Sequence, residues 1–213
     1  MIVRMMKRLL RIGLILAGLL GGQSVSFSEF PTRPSILAHA GGAFHEENYV
    51  RPGFETGFGF SYPLGEALFV SFEFCSWNCT TKKSVPGKLY NGRLTLSPIL
   101  LTLQYEFSPT RFFFPYAFVG GAYIFTRFKI GSYVSIPEVK IDQTIENGLA
   151  FYFGIGARLS FSKAWSFVSE VSYLMRKAPA KTIIHDMNRG LSSEDFVGDL
   201  RSVILKFGLK YLF

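Results

Sequence analysis

The sequence predicts an all-β protein, an eight-stranded antiparallel transmembrane β-barrel. Three observations support this prediction. Apolar residues recur at every second position over many segments, which is typical of strands with one apolar face. No apolar run after residue 30 approaches the roughly 20 residues of a membrane-spanning helix. Short and long connections alternate along the chain, as they do in bacterial outer-membrane barrels.

Residues 1–28 have the features of a secretory signal peptide. Four basic residues and no acidic residue accompany a short apolar stretch, Leu9–Leu20. That stretch is too short for a stable membrane span, which favours a removable export signal. Without these four basic residues the formal net charge falls from +8 to +4. The remaining charges form no basic stripe, so we expect no nucleic-acid partner.

The mature chain begins with a short periplasmic segment at 29–34, and the barrel occupies 35–213. Alternation is clearest in 54–62, where aromatic residues occupy one face and glycine, serine and Glu55 the other. The segments 149–161 and 203–213 repeat this pattern. The eight predicted strands are about 35–44, 53–63, 66–77, 92–107, 112–128, 147–161, 164–177 and 199–213.

The predicted connections form two sets. The short ones are at 63–66, 108–111 and 162–164. The others are mostly longer, at 45–52, 78–91, 129–146 and 178–198. Short periplasmic turns and longer external loops are expected of an outer-membrane barrel, and an even strand number places both chain ends on the periplasmic side. The second face of the strands is rich in glycine and serine, which suits a narrow lumen better than a solvent-facing coat.

Three stretches resemble known proteins. Residues 96–107 end in Gln104-Tyr105-Glu106-Phe107, and Pro115-Tyr116 begins a glycine-containing segment soon afterwards. This pattern resembles small outer-membrane barrels, especially the OmpW-like family, and relatives of the OmpA transmembrane domain share much of it. The alternating end of the chain at Phe213 is similar to the signal that hands such proteins to the barrel-assembly machinery. The resemblance implies residence in the bacterial outer membrane.

Charged residues of both signs are predicted to point into the lumen. They are Glu55, Glu73, Arg158, Glu170 and Lys206. An eight-stranded barrel is only just wide enough for its own side chains, and charges withdrawn from water need partners. We therefore expect a packed network of ion pairs, with a narrow polar path or small-ligand site as the alternative.

The apolar alternation changes phase around Ser97-Pro98. Because proline cannot donate to a sheet ladder, a bulge or break is expected there. The simpler interpretation is strand curvature. The resemblance to OmpW-like proteins suggests another, a gap in the wall at Pro98 that lets an apolar solute pass sideways into the membrane.

Cys75 and Cys79 are the two cysteines of the chain. In an extended strand they would lie about 13 Å apart, so a disulfide requires a turn at Trp77-Asn78. Such a disulfide is plausible in an oxidising compartment. The spacing lacks two further ligands for zinc, and we predict no metal site and no cofactor.

The leading functional hypothesis is a passive outer-membrane protein with a narrow route or binding site for small apolar solutes. The competing hypothesis is a structural or surface-interaction barrel with a plugged lumen, acting through its external loops. A lipid-modifying enzyme is third, and we predict no enzyme because no Ser/His/acid spacing supports one. Expected partners are outer-membrane lipids and lipopolysaccharide, whose phosphates suit loop cations such as Lys82, Lys129 and Lys181.

Overall fold

The computed structural model describes residues 33–46, 50–82, 91–107, 112–131, 139–186 and 190–213. The predicted signal peptide lies outside them. Eight of the strands that these residues form are β1 Ser35–His45, β2 Gly53–Pro63, β3 Leu68–Thr81, β4 Gly92–Glu106, β5 Phe113–Ile130, β7 Gly148–Ser160, β8 Trp165–Met175 and β11 Ser202–Leu212. Three more are β6 Val139–Ile145, β9 Lys177–Asp186 and β10 Gly190–Asp199.

The first eight strands form a closed barrel in the order β1-β11-β8-β7-β5-β4-β3-β2. All neighbours in this barrel are antiparallel, and β1 pairs with β11 from Ser35↔Leu212 to His45↔Ser202. The predicted eight-stranded barrel is therefore confirmed. Each barrel strand coincides with one predicted strand, because the alternation of apolar residues marks every one of them.

The other three strands form a separate sheet in the order β10-β9-β6. They occupy much of 129–146 and 178–198, so the prediction of loops there was wrong. Side chains of β10 are exposed along most of its length. Such a strand buries no regular apolar face, so the alternation that revealed the barrel strands is missing.

The outer surface of the barrel is apolar. Side chains that point outward include Phe54 and Phe58, each 62% exposed, and Leu149, which is 79% exposed. A continuous apolar surface of this kind marks contact with lipid or with another protein. In the part of the chain that the structure describes, no helix is long and apolar enough to span a bilayer.

Several aromatic residues lie together at the end of the barrel that carries the short turns. The rings of Trp165 and Tyr211 lie 4.9 Å apart, and those of Tyr211 and Phe213 lie 5.4 Å apart. Tyr105 and Phe107 form a similar pair on β4 and the turn that follows it. Amphipathic rings in this position are typical of the interfacial girdle of a membrane barrel.

Candidate functional site in the barrel lumen

Lys206 of β11 lies at the centre of a buried group that we name the Lys206 cluster: Lys206, Glu55, Glu73 and Glu170. The Lys206 Nζ lies 2.9 Å from Glu73 Oε2, 3.3 Å from Glu170 Oε1 and 3.9 Å from Glu55 Oε1. The three glutamates come from β3, β8 and β2, and each occupies an inward position of its strand. The structure thus brings together four of the five residues that the sequence predicts in the lumen network.

Two tyrosines extend this cluster. The Tyr152 hydroxyl donates to Glu170 Oε1 at 2.8 Å, and the Tyr116 hydroxyl donates to Glu170 Oε2 at 3.4 Å. The Tyr116 ring fits against β7 because Gly156 has no side chain there. The Cβ of any other residue at this position would overlap the ring. The sequence did not reveal the role of either tyrosine, because an aromatic residue of the lumen cannot be told by its type from one of the interfacial girdle.

A second cluster lies nearer the short turns and is centred on Glu106 of β4. Its carboxylate accepts a hydrogen bond from Arg158 Nη2 at 2.7 Å and lies 3.7 Å from Lys210 Nζ. Arg158, predicted in one network with Glu73, therefore belongs to this second cluster. Glu106 was missed, although the alternation over 101–107 places it on the inward face.

His39 of β1 joins Glu73 and Cys75 beside the Lys206 cluster. Its Nε2 atom lies 4.0 Å from Glu73 Oε2 and 3.7 Å from Cys75 Sγ. The imidazole lies against β2, where a Cβ at Gly57 would overlap it. Sequence reasoning missed this group because it comes from β1 and β3, which are not neighbours in the barrel.

The half of the lumen nearer the longer connections is filled with apolar side chains. The fully buried ones include Trp77, Leu94, Leu96, Ile124, Leu174 and Ile204. Between the two charged clusters, a cavity bordered by Glu73, Glu170 and Lys210 has a volume of about 10 Å³. That is the space of roughly one water molecule. Among the described residues, the lumen is packed like a protein core.

Arg176 follows β8 at the external end of the lumen. Its Nη1 donates to the Ile124 carbonyl at 3.3 Å, and its Nη2 donates to the carbonyl of Glu146. The guanidinium therefore ties β8 to β5 and to the residue that follows β6. The two carbonyl groups take the place of the water molecules that the guanidinium loses when it is buried.

A serine and a histidine meet at the external end of β1 and β11, the arrangement that would favour a lipid-modifying enzyme. Ser202 Oγ lies 2.7 Å from His45 Nδ1 and donates to the Leu200 carbonyl at 2.9 Å. Cys79 Sγ lies 3.1 Å from His45 Nε2. The single Ser202 proton can be donated to the Leu200 carbonyl or to His45 Nδ1, according to the tautomer of the imidazole. Both side chains are buried, so the pair offers no accessible nucleophile.

The expected disulfide is wrong. Cys75 and Cys79 are both buried and both free. The strand β3 continues from Leu68 to Thr81 without a turn at Trp77-Asn78. Both cysteines point inward from an extended strand, with the inward residue Trp77 between them. Their sulfur atoms are therefore too far apart to form a bond.

Of the bulge or break expected at Pro98, the structure shows a break in pairing and no bulge. Even-numbered residues of β4 point inward on both sides of Pro98, so no residue is inserted. Leu94 and Leu96 are apolar because they belong to the packed external half of the lumen. The ladder between β3 and β4 nevertheless lacks pairs for Cys75 and Ser76, opposite Pro98 and Ser97. The pairing of β4 with β5 is continuous.

An ion-pair group lies on the outside of the barrel near the longer connections. Arg201 contacts Asp199 at 2.6 Å and Glu46 at 3.3 Å, and the Tyr173 hydroxyl donates to Glu46 at 2.6 Å. Burial acts to raise the pKa of Asp199, but hydrogen bonds from Arg201 and its charge hold it below the ordinary value. This group fixes the start of β11 against the end of β1.

Three exposed cations lie on the outer face of β4 and β5, above the apolar surface. We name Arg93, Arg127 and Lys129 the cationic row. Arg93 pairs directly with Lys129, and Thr95 pairs with Arg127. With Asn78, Thr95 and Phe125 these residues line a groove of about 480 Å³. Like charges placed opposite each other repel, so an anion bound between them would stabilise this face.

The sequence matches no family model, and a search of curated proteins found no similar sequence. Solved structures are similar in fold. The outer membrane protein OprG from Pseudomonas aeruginosa superposes with a TM-score of 0.70 at 15% identity, covering 86% of this chain and 97% of that one. A major outer membrane protein from Thermus thermophilus gives a TM-score of 0.58 at 14% identity, covering 84% and 99%. Neisserial surface protein A gives 0.57 at 14% identity, covering 84% and 97%. The chain therefore has the fold of the small eight-stranded barrels of bacterial outer membranes.

Proposed function

We propose that the protein is an integral outer-membrane barrel with a closed lumen that acts at the cell surface through its external connections. Export by the segment 1–28 and residence in the outer membrane belong to this proposal. The observation that carries it is the filled lumen, where an apolar layer occupies the external half and the cavity between the two charged clusters has the volume of about one water molecule. A barrel packed in this way favours a surface role over conduction.

The sheet β10-β9-β6 supplies a surface for such a role. Among the described strands, β10 has a neighbour on one side only, and its Leu191 and Val197 are 69% and 65% exposed. An edge strand with exposed apolar side chains is suited to adding a strand from a partner protein.

Conductance in planar lipid bilayers tests the closed lumen. The full chain is expected to give no steady channel. Replacing Trp77, which is fully buried in the external half of the lumen, by alanine is expected to produce conducting openings. Trp165→Ala is the matched control, because Trp165 lies on the outer surface. A steady channel in the unmodified protein would refute the closed lumen.

A second candidate function is the sideways passage of small apolar solutes, favoured by the missing β3–β4 pairs opposite Pro98. Pro98→Ala restores a backbone donor and is expected to slow uptake of an apolar solute into cells. Pro115→Ala is the control, because Pro115 lies on β5 with its pairing intact. Equal uptake in all three proteins would exclude this route.

We also propose that the cationic row binds the phosphates of lipopolysaccharide. The row lies directly above Phe125 and Tyr123, two exposed aromatic residues of β5 that mark the upper limit of the apolar surface. Phosphate groups of a lipid embedded beside the barrel would lie at this height. Arginine and lysine are the residues that bind such phosphates most strongly.

A further inference from the structure

The Lys206 cluster contains more negative than positive groups. Three glutamates face one lysine, whereas the second cluster has one glutamate facing Arg158 and Lys210. With every group ionised, the two clusters together carry one excess negative charge, and the excess is concentrated around Lys206. Uncompensated charge in a buried site is strongly unfavourable.

Glu55 is the glutamate of the Lys206 cluster whose negative charge is compensated least, because it lies farthest from the Lys206 ammonium group. It is fully buried, and neither of its carboxylate oxygens makes a hydrogen bond of ordinary length and angle within the described residues, although Trp77 and Cys75 lie beside it. The neighbouring His39 Nδ1 and Trp77 Nε1 atoms also have none. Buried polar atoms are normally satisfied, so unpartnered ones indicate a missing ligand, ion or water.

Three side chains that can bind a metal ion lie beside Glu55 and the unpartnered polar atoms. The His39 nitrogen, a Glu73 oxygen and the Cys75 sulfur all lie within 4.8 Å of one another. The His39 Nε2 atom is 3.7 Å from the sulfur and 4.0 Å from the oxygen. Ligand atoms around a tetrahedral zinc ion lie about 3.4–3.7 Å apart. The two separations from His39 are therefore close to these values, and the third, between the Glu73 oxygen and the Cys75 sulfur and no longer than 4.8 Å, shortens by up to about 1 Å on binding.

We propose that His39, Glu73 and Cys75 bind a zinc ion in the lumen. Nitrogen, oxygen and sulfur together form a donor set that zinc accepts in tetrahedral geometry. Binding releases the thiol proton of Cys75, so the ion and the thiolate add one net positive charge to the site. The ion would join β1 to β3 across β2 and offset the excess negative charge. This site is independent of the proposed surface role.

The chain contains a matched pair that should not bind zinc. Cys79 lies beside His45 at 3.1 Å, but this pair lacks a third ligand of the kind that Glu73 supplies to His39 and Cys75. Within the described residues, the group of three or more candidate ligands includes His39 and Cys75 but neither His45 nor Cys79. The two cysteines therefore provide a test and its control on the same strand.

The test uses the full chain refolded in detergent with Co²⁺ as a spectroscopic probe, followed by displacement with Zn²⁺. We expect about one metal ion per chain and a thiolate-to-cobalt charge-transfer absorption that zinc removes. His39→Ala and Cys75→Ser should weaken binding at least tenfold, whereas Cys79→Ser should leave it unchanged. Different migration of boiled and unboiled samples on a gel verifies that each variant is folded.

A second measurement needs no variant. Because both thiols are buried in the folded barrel, the labelling is done in partly denaturing urea, where zinc should slow the reaction of Cys75 with maleimide more than that of Cys79, as read by peptide mass spectrometry. Two results would overturn the proposal. One is a folded barrel without the charge-transfer absorption, and the other is an absorption or protection that depends on Cys79.

Discussion

At the scale of single residues, the lumen depends on one ammonium group. Lys206 is within 4 Å of all three glutamates of its cluster and is only 2% exposed. Its position follows directly from the alternation of β11, because Lys206 occupies the inward phase of that strand. The energetic weight of this residue comes from burial, which removes the water that would otherwise stabilise the carboxylates.

Lys206→Met should destabilise the barrel by about 3–5 kcal/mol, because it leaves three buried carboxylates without their counter-ion. The measurement is the urea midpoint of the folded band on a gel of unboiled samples refolded in lipid. Lys163→Met, at an exposed turn, is the control and should leave the midpoint unchanged. Equal midpoints for both variants would show that the Lys206 contacts contribute little.

The state of the two cysteines is a second prediction at this scale. Because β3 holds Cys75 and Cys79 apart as free thiols, the protein denatured without reductant should react with two maleimide groups per chain. Mass spectrometry of the intact chain measures this directly. A reduced sample is the control. Labelling that occurs only after reduction would indicate a disulfide and contradict the extended course of β3.

At the scale of strands, the pairing of β4 with β5 creates the cationic row. Arg93 and Lys129 are direct cross-strand neighbours, and Arg127 lies one outward position closer to the membrane. Neither strand alone indicates a binding site. Only the register places three positive charges in one groove beside exposed aromatic residues.

The double substitution Arg93→Gln and Lys129→Gln should reduce the lipopolysaccharide that copurifies with the barrel and weaken binding to vesicles containing it. Removing two charge-assisted phosphate contacts accounts for the loss. Lys181→Gln, an exposed cation of β9, is the control. If the control reduces binding as much as the double variant, the attraction is general rather than specific to the cationic row.

At the scale of the whole molecule, the two ends of the described barrel meet. β11 pairs with β1 along its length, and the Phe213 amide donates to the Pro34 carbonyl at 3.1 Å. Closure leaves no unpaired barrel edge in lipid, where an unsatisfied backbone group is costly. The terminal side chain itself is 57% exposed, so it contributes little to internal packing.

Deleting Phe213 should therefore reduce assembly in cells while leaving the stability of the refolded barrel nearly unchanged. The physical reason is that the exposed terminal ring contributes little to packing, whereas we propose that the assembly machinery recognises it. Outer-membrane yield and the urea midpoint measured in parallel separate these effects. Phe161→Ser, another exposed phenylalanine at the same end, is the control. An equal loss of yield in both proteins would argue against recognition of the terminus.

The sequence by itself determined the barrel, because alternation fixes which face of each strand meets lipid and which meets the lumen. It also identified most of the charged residues that point inward, since that assignment needs only the phase of each strand, but it missed Glu106. It missed the β10-β9-β6 sheet, because β10 is exposed along most of its length and the buried positions of β9 are the small residues Ala178, Ala180 and Thr182. Only the tertiary structure decided which inward residues meet: Arg158 with Glu106, and His39 with Cys75. Those meetings depend on strand order, register and the glycine positions that admit large side chains, which are properties of the closed barrel rather than of any single strand.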